Sequence, residues 1–322
     1  MSHRFRHLLG IEPLNREQIV FLLDQAKPFQ EFQRYPLKKL ATLRGKTIAL
    51  TFFENSTRTR ISFATAASRL GADQMNLQAE SSSLKKGESL SDTVRTLEAM
   101  KPDAIVIRHS SSGAAEFISH RVNVPVINAG DGTHEHPTQA LLDALTIRDR
   151  KGELDGIHIT MIGDILHSRV ARSNIHLLSK FGARITLCGP AMWLPRELET
   201  LGPSVRCVPR IEEALGGADV IMALRIQQER MHEPAISAED YILQYQLTPA
   251  RMRLARPDAI VLHPGPMIRG LEIDPAVADS PQSCVLEQVT NGLAIRMAIL
   301  FELVAGSADP QEHAKDSSHA SD

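Results

Sequence analysis

Hydroxyls and arginines are concentrated directly after the first apolar run of the chain. The run Thr47–Phe53 is followed by Ser56-Thr-Arg-Thr-Arg60, which leads into a segment with helical spacing. Free backbone N–H groups at a helix start, the helix dipole and a guanidinium all favour a phosphate. Arg58 and Arg60 point about 200° apart on a helix, so they cannot both face one anion. The cluster predicts a phosphate site, with a plain helix cap as the alternative.

An arginine and a histidine stand at two further strand ends. Arg108 follows the run Ala104–Ile107, where it could clamp a phosphate or form a structural ion pair. His136 precedes Pro137, and because proline suits the first position of a helix, the imidazole is expected at the helix entrance. There it can donate a hydrogen bond to a carbonyl oxygen on which charge develops. A zinc site with His134 is disfavoured, because the one-residue gap is not a zinc signature.

A second set of residues suits a carboxylate. Arg169 begins a predicted helix after a glycine turn at Gly163. Arg225 and Gln227 follow the run Asp219–Ala223, and residues two apart in an extended segment face the same way. Such a pair could bind a carboxylate; the alternative is that both side chains simply face solvent on the protein surface.

Three loops complete the candidate site. The basic loop 81–89 contains Lys86 and could close over an anion or simply be solvated. The turn His263-Pro-Gly-Pro266 is rigid, and its carbonyls could face a ligand. The segment that follows Arg230, to about Gln246, is poor in helical pattern and is predicted to be a mobile lid.

These residues need a scaffold of alternating strands and helices. Strands are predicted at Thr47–Phe53, Ala104–Ile107, Val124–Ile127, Ile157–Ile162, Arg184–Leu187, Asp219–Ala223 and Ala259–Leu262. Helices are predicted at Asn15–Phe32, Arg60–Leu70, Ser91–Met100, Thr138–Arg150, Arg169–Phe181, Pro249–Leu254 and Leu286–Val304. The alternation indicates an α/β fold of parallel sheets flanked by helices, in which ligands bind beyond the carboxyl ends of strands.

The length of 322 residues fits two such domains. A charged, glycine-punctuated stretch at 149–156 separates a helix from a strand, so the junction is predicted there. We expect domains at 1–150 and 151–285, with the last helix (about 286–305) packing back on the first domain. Residues 306–322 are polar and small and are predicted to be a disordered tail.

Composition narrows the functional class. The 36 basic and 38 acidic side chains nearly cancel, which argues against nucleic acid as a partner. No run approaches the ~20 consecutive apolar residues of a membrane span, and the N-terminal residues do not look like a signal peptide. Three cysteines without a CxxC pair favour the reducing cytoplasm.

Several catalytic signatures do not occur in the sequence. It contains no GxxxxGK[ST], GxGxxG or GxSxG motif, and no metal set or pair of catalytic carboxylates is recognisable. The remaining interpretation is a transferase for a substrate with phosphate and carboxylate groups, working by positioning and electrostatics.

Five motifs, in order along nearly the whole chain, resemble the transcarbamoylase family. They are Ser56-Thr-Arg-Thr-Arg60, Leu84-Lys-Lys-Gly-Glu-Ser89, His136-Pro-Thr-Gln139, Arg225-x-Gln227-x-Glu229-Arg230 and His263-Pro-Gly-Pro266. The ornithine branch shares the first motif but typically carries a cysteine-containing loop near the C-terminus, so the resemblance is to the aspartate branch. It implies transfer of a carbamoyl group from carbamoyl phosphate to L-aspartate, in pyrimidine biosynthesis, with no cofactor or metal.

The resemblance also implies roles for individual residues. Carbamoyl phosphate would be held by Ser56, Thr57, Arg58, Thr59, Ser82, Arg108, His136 and Gln139. Aspartate would be bound by Lys86, Arg169, Arg225, Gln227, Gly265 and Pro266. The catalytic groups would be Arg58, Thr59, Lys86, Arg108 and His136, and the Pro266 carbonyl would help Gln139 to orient the carbamoyl amide.

An assembly follows from the same resemblance. Ser82 and Lys86 would come from a neighbouring subunit, which implies a homotrimer with shared active sites. A regulatory or dihydroorotase partner chain is possible. Two positions depart from the family pattern, since Val170 replaces a threonine and Gly265 replaces a leucine. Valine at position 170 cannot make the hydroxyl contact of a threonine. Glycine at position 265 makes the turn looser, but the backbone carbonyl is kept.

Three alternatives stay open. The acceptor could be another amino acid, although Lys86, Arg225 and Gln227 suit a dicarboxylate. A catalytically silent paralogue acting as a scaffold would be expected to lack Arg58, Arg108 or His136, and all three are present. A nucleotide-dependent oxidoreductase would be expected to carry the missing glycine fingerprint.

Overall fold

The computed structural model describes residues 5–78, 89–226 and 236–306. Contacts divide the chain into two compact units. Unit 1 comprises Met1–Leu9, Asp24–Ala129 and Leu293–Asp322, and unit 2 comprises Gly10–Leu23 and Gly130–Gly292. The predicted domain ranges stay a prediction.

Unit 1 is built on a four-stranded sheet with strand order β2-β1-β3-β4. Its strands are β1 (Thr47–Phe52), β2 (Asp73–Gln78), β3 (Ala104–His109) and β4 (Val126–Asp131), the last of which runs on into unit 2. Its helices are α2 (Thr57–Leu70), α3 (Leu90–Ala99) and α4 (Ala114–Ser119), with the second part of α1 (Arg16–Phe32). The pairs β1–β2 and β1–β3 are parallel. Apolar side chains of β1 and β3 pack on α3 and α4 to form the core.

Unit 2 is built on a five-stranded sheet with strand order β7-β6-β5-β8-β9. Its strands are β5 (His158–Ile162), β6 (Arg184–Cys188), β7 (Val205–Cys207), β8 (Val220–Ala223) and β9 (Ile260–Leu262). Its helices are α5 (Pro137–Lys151), α6 (Arg169–Ser179), α7 (Ile211–Ala214), α8 (Ala238–Tyr245), α9 (Pro249–Met252) and α10 (Pro275–Ala278). All four strand pairs of this sheet are parallel, so the predicted α/β class with parallel sheets is confirmed.

The last helix, α11 (Val285–Leu300), continues as a π turn at Phe301–Ala305. Its C-terminal part belongs to unit 1, where Arg296 Nη1 donates to Ser62 Oγ at 2.9 Å. The Arg296 guanidinium also lies 5.3 Å from the centre of the Phe63 ring. These contacts confirm that the C-terminal helix packs back on the first part of the chain.

One described helix, Val285–Ala305, is long and apolar enough to cross a membrane by length and composition alone. In the folded chain 67% of its apolar window is buried inside the protein. A buried core helix passes the same test, so this segment is weak evidence for a membrane span.

Two of the described strands and four of the described α-helices were not predicted. Strand β2 reads Asp-Gln-Met-Asn-Leu-Gln and lies at a sheet edge, so it lacks the apolar run of an internal strand. Strand β7 has only three residues. Helix α8 contradicts the expectation of a helix-poor lid up to Gln246, since Ser237 caps it by accepting from Asp240 N at 3.0 Å. The other unpredicted helices are short: α4 has six residues, and α7 and α10 have four each.

Candidate active site

In unit 1 the end of β1 leads directly into the N-terminus of α2. Ser56 occupies the N-cap position, and its side chain makes no capping bond to the described part of the helix. Thr57 and Arg58 are exposed, whereas Thr59 is buried. Backbone N–H groups of a first helical turn and an exposed guanidinium together suit an anion.

Arg108 lies beside this helix start. Parallel register pairs Phe52 with Arg108, and Phe53 N donates to Arg108 O at 2.8 Å. The guanidinium is 9% exposed and is oriented from two sides. Its Nη1 donates to Ala129 O at 3.1 Å, and its Nε lies 3.3 Å from Glu54 Oε2. Unit 1 therefore brings the predicted phosphate residues Ser56, Thr57, Arg58, Thr59 and Arg108 to one end of its sheet.

In unit 2 His136 stands at the entrance of α5, with Pro137 in the first helical turn as predicted. Its side chain is buried, and its main-chain N–H donates to Ser173 Oγ at 2.8 Å. Ser173 Oγ in turn donates to Glu135 Oε2 at 2.6 Å. The carboxylate also accepts from Ile11 N at 2.9 Å, so the N-terminal segment takes part in fixing this turn.

Sequence reasoning did not single out Glu135 or Ser173. A glutamate between two histidines carries no periodic signal, and the serine lies 38 positions away in the next helix. Glu135 is 1% exposed, and its carboxylate is held by the Ser173 hydroxyl and by backbone amides. It therefore links the backbone at Ile11 and Glu12 to the Ser173 side chain that bonds to His136.

Gln139, one turn into α5, contacts a second buried carboxylate that the sequence did not reveal. Its Nε2 donates to Asp143 Oδ1 at 2.9 Å. The same oxygen accepts from Gln288 Nε2 at 2.7 Å, and Asp143 Oδ2 accepts from Asn174 Nδ2 at 2.9 Å. Asp143 thus joins three side-chain amides from α5, α6 and α11.

Arg169 and Arg225 occupy the strand ends predicted for them. Arg169 is 4% exposed and begins α6 behind the capping Ser168, and Arg225 is half-buried two residues after β8. The glycine turn after β5 is required, because Gly163 has φ +131° and a Cβ there would lie 2.9 Å from Leu224 O. Asp164, in the same turn, contacts His167 Nδ1 at 2.9 Å.

The turn 263–266 is tied to α11 and to a buried glutamate. His263 N donates to Gln288 Oε1 at 2.9 Å, and Gly265 N donates to His263 Nδ1 at 2.9 Å. His263 Nε2 lies 3.6 Å from Glu272 Oε2, and Glu272 Oε1 accepts from Ile226 N at 3.1 Å. The residue after Arg225 and the turn that carries Gly265 and Pro266 are therefore fixed by one carboxylate. The Gly265–Pro266 peptide is cis.

Three predicted site residues, Ser82, Lys86 and Gln227, lie outside the described residues. The first part of the predicted lid, up to residue 235, and the tail beyond Gly306 do so as well.

His134 pairs with a carboxylate three positions earlier in the chain. Its Nδ1 contacts Asp131 Oδ2 at 3.0 Å, and this hydrogen bond raises the pKa of His134 above its usual value. Within the described ranges, no three His, Cys, Asp or Glu side chains are grouped to hold a metal ion.

Two family models match the chain almost end to end. Residues 6–149 match the carbamoyl-P binding domain of aspartate/ornithine carbamoyltransferase, and residues 155–303 match its Asp/Orn binding domain. The chain belongs to the aspartate/ornithine carbamoyltransferase family. The phosphate cluster of unit 1 lies within the first match, and Arg169, Arg225 and Pro266 lie within the second.

Individual relatives of this carbamoyltransferase family carry the aspartate name. The chain is 58% identical over 297 residues to the aspartate carbamoyltransferase catalytic subunit of Solibacter usitatus, covering 92% of this chain and 98% of the relative. It is 53% identical to that of Syntrophotalea carbinolica, covering 98% of this chain and all of the relative.

Solved structures of both branches of the family resemble the chain. Aspartate transcarbamoylase from Trypanosoma cruzi, in complex with carbamoyl aspartate and phosphate, gives a TM-score of 0.85 at 34% identity, covering 93% of this chain and 96% of that one. Ornithine carbamoyltransferase from Pyrococcus furiosus gives a TM-score of 0.85 at 32% identity, covering 96% of this chain and all of that one. Similarity of fold therefore does not distinguish the aspartate branch of the family from the ornithine branch.

Proposed function

We propose that this chain is an aspartate carbamoyltransferase, which transfers the carbamoyl group of carbamoyl phosphate to the amine of L-aspartate. The products are N-carbamoyl-L-aspartate and phosphate, and the step commits these precursors to pyrimidine biosynthesis. The observation that carries the proposal is the near full-length identity of 58% with a relative that bears the aspartate name.

Unit 1 supplies the phosphate-binding groups in this proposal. Ser56 to Thr59 offer hydroxyls and first-turn N–H groups, and Arg108 adds a guanidinium oriented by Glu54 and Ala129. Such donors neutralise the departing phosphate. The described side chains do not need to supply a nucleophile or a base, because the acceptor amine attacks and the phosphate can take up its proton.

The bond changes are a single acyl transfer. The neutral amine of aspartate forms a C–N bond to the carbamoyl carbon, and the carbonyl oxygen becomes a tetrahedral oxyanion. The family resemblance assigns hydrogen bonds to that oxygen to Thr59, Arg108 and His136. The C–O bond to phosphate then breaks, and the amine proton leaves on the phosphate. One donor of this kind is worth about 3–4 kcal/mol in other acyl-transfer enzymes.

Unit 2 supplies the acceptor-binding groups. Arg169, Arg225 and Gln227 would bind the two carboxylates of aspartate, with Lys86. Gln139 and the Pro266 carbonyl would orient the carbamoyl amide. Support comes from Arg169 and Arg225 at neighbouring strand ends of one parallel sheet, since β5 and β8 pair directly.

The test is carbamoyl transfer by the purified chain with L-aspartate or L-ornithine. We expect product with aspartate only, and a loss of about 10²–10³-fold in kcat for His136→Ala, as for other oxyanion donors. His120→Ala, at an exposed position in unit 1, is the matched control and should keep full turnover. Turnover with ornithine would reassign the acceptor, and tight carbamoyl phosphate binding without turnover would support the silent scaffold.

We further propose that the chain works as a cytoplasmic homotrimer with shared active sites. Support comes from the family motif that contains Ser82 and Lys86 and from the cysteine usage. Sedimentation should give three times the 35.5 kDa mass of one chain. Mixing inactive Lys86→Ala and His136→Ala chains should restore part of the activity, whereas mixtures that stay inactive would contradict shared sites. Co-purification from native cells would reveal a regulatory or dihydroorotase partner chain.

A further inference from the structure

Asp143 is a fully buried carboxylate surrounded by side-chain amides. Its exposed fraction is 0%, and its Oδ1 accepts from Gln139 Nε2 and Gln288 Nε2 at 2.9 and 2.7 Å. Its Oδ2 accepts from Asn174 Nδ2 at 2.9 Å. Gln139, Asn174 and Gln288 are themselves at most 7% exposed, so the cluster is shielded from water. Low dielectric strengthens such bonds and makes a wrong orientation costly.

The carboxylate decides which way each amide points. An ionised carboxylate only accepts hydrogen bonds, whereas a side-chain amide has a donor end and an acceptor end. The NH₂ end must therefore face Asp143, and the carbonyl oxygen must face away. Gln288 shows the consequence, because its Oε1 accepts the His263 N–H at 2.9 Å.

Gln139 is fixed by the same rule. With its Nε2 bonded to Asp143, the other end of the amide is Oε1, which can only accept. A reversed amide would place a carbonyl oxygen against the carboxylate and present an NH₂ group to the ligand. The observed orientation suits a ligand that donates an N–H, whereas the reversed amide would repel such a ligand.

We propose that Asp143 is a positioning and specificity residue, which sets the amide of Gln139 so that its carbonyl oxygen receives the NH₂ group of the carbamoyl moiety. This inference rests on the proposed function and goes beyond it by assigning selection of carbamoyl over acetyl groups to a carboxylate that does not touch the substrate. Through Gln288 the same carboxylate fixes the turn 263–266. One buried charge thus orients groups assigned to both substrates.

The experiment compares two stable ligands that differ only in the group recognised. Phosphonoacetamide carries the NH₂ group, and phosphonoacetone carries a methyl group in its place. We expect calorimetry to give a preference of about tenfold or more for the amide in the wild-type chain, the size of one well-placed hydrogen bond. The ratio should fall towards one in Gln139→Ala and in Asp143→Asn.

The double variant Asp143→Asn, Gln139→Ala separates positioning from general damage. If Asp143 acts through Gln139, the double variant keeps the ratio of Gln139→Ala alone. Thr146→Val is the matched control, because Thr146 is buried one turn further along α5 and bonds to Leu142 O at 2.7 Å. Its ratio should equal that of the wild type. An unchanged ratio in Asp143→Asn, or binding of neither ligand by the wild type, overturns the inference.

A second readout needs no folded Asp143 variant. In wild-type protein labelled with ¹⁵N in glutamine side chains, the NH₂ signals of Gln139 and Gln288 should be protected from hydrogen exchange. They are assigned by their loss in Gln139→Ala and Gln288→Met. Rapid exchange at Gln139 would overturn the proposed orientation. Both tests hold whether or not carbamoyl transfer occurs, so failure of the proposed function is seen separately in the turnover assay.

Discussion

The main-chain N–H of His136 and the hydroxyl of Ser173 are joined by a 2.8 Å hydrogen bond. Because the hydroxyl gives its own proton to Glu135 at 2.6 Å, its lone pair is aimed at His136. Helix α6 therefore helps to set the position of the imidazole that we assign to the oxyanion.

Removing the Ser173 hydroxyl should lower catalysis more than substrate binding. In Ser173→Ala the buried N–H of His136 loses this acceptor, at a cost of about 1–3 kcal/mol in the free energy of unfolding. We expect kcat to fall roughly tenfold, since the imidazole is less well held. Steady-state kinetics and urea unfolding measure the two effects. Ser179→Ala, near the end of the same helix, is the control, and an undiminished kcat in Ser173→Ala would contradict the assignment.

Glu54 should weaken anion binding at Arg108 slightly. Its carboxylate lies 3.3 Å from the guanidinium Nε and competes with a phosphate for that charge. Glu54→Gln keeps an acceptor oxygen but removes the negative charge, and partly exposed ion pairs are worth only about 0.2–1 kcal/mol. The Kd for inorganic phosphate should therefore drop by a factor of about 1.5–5, as measured by calorimetry at low salt. Weaker phosphate binding in this variant would show that orientation by the charge matters more than competition.

The pair of His134 and Asp131 should make stability depend on pH. The hydrogen bond to Asp131 raises the pKa of His134 in the folded state. The stabilisation is fully present below the unfolded value of about 6.5 and is lost as pH rises through the higher folded value. Relative to His134→Asn, the wild-type free energy of unfolding should be greatest below pH 6.5 and should decline above it. A flat difference between pH 5.5 and 8.5 would refute the linkage.

The three thiols should react slowly in the native protein. Burial raises the pKa of Cys188 to about 12, and it raises those of Cys207 and Cys284 to about 11. At pH 8 on the order of one Cys207 thiol in a thousand is ionised, and the thiolate is the nucleophile. Disulfide-reagent labelling should be about 100-fold slower before than after unfolding in urea, with half-buried Cys207 reacting first. Equal rates in native and unfolded protein would contradict this.

Local patterns were sufficient to predict the positions of Arg108, His136, Arg169 and Arg225. Each of these follows an apolar run, and Pro137 fixes the helix start behind His136. What escaped prediction depends on long-range contacts. Gln288 and Asp143 are 145 positions apart, and no spacing rule connects them. Strand β2 was missed because an edge strand can be polar, and helix α8 because its capping serine follows residues with no helical pattern.

Unit 1 contains residues from the beginning and from the end of the chain. Its sheet is complete by Asp131, but Arg296 and Phe301, which contact Ser62 and Phe29, come more than 160 residues later. A ribosome therefore finishes all of unit 2 before it makes the part of α11 that contacts Phe63. Until that part is synthesised, the apolar surface of unit 1 stays exposed. Exposed apolar surface makes a nascent chain prone to aggregation, so we expect unit 1 to depend on chaperones during synthesis.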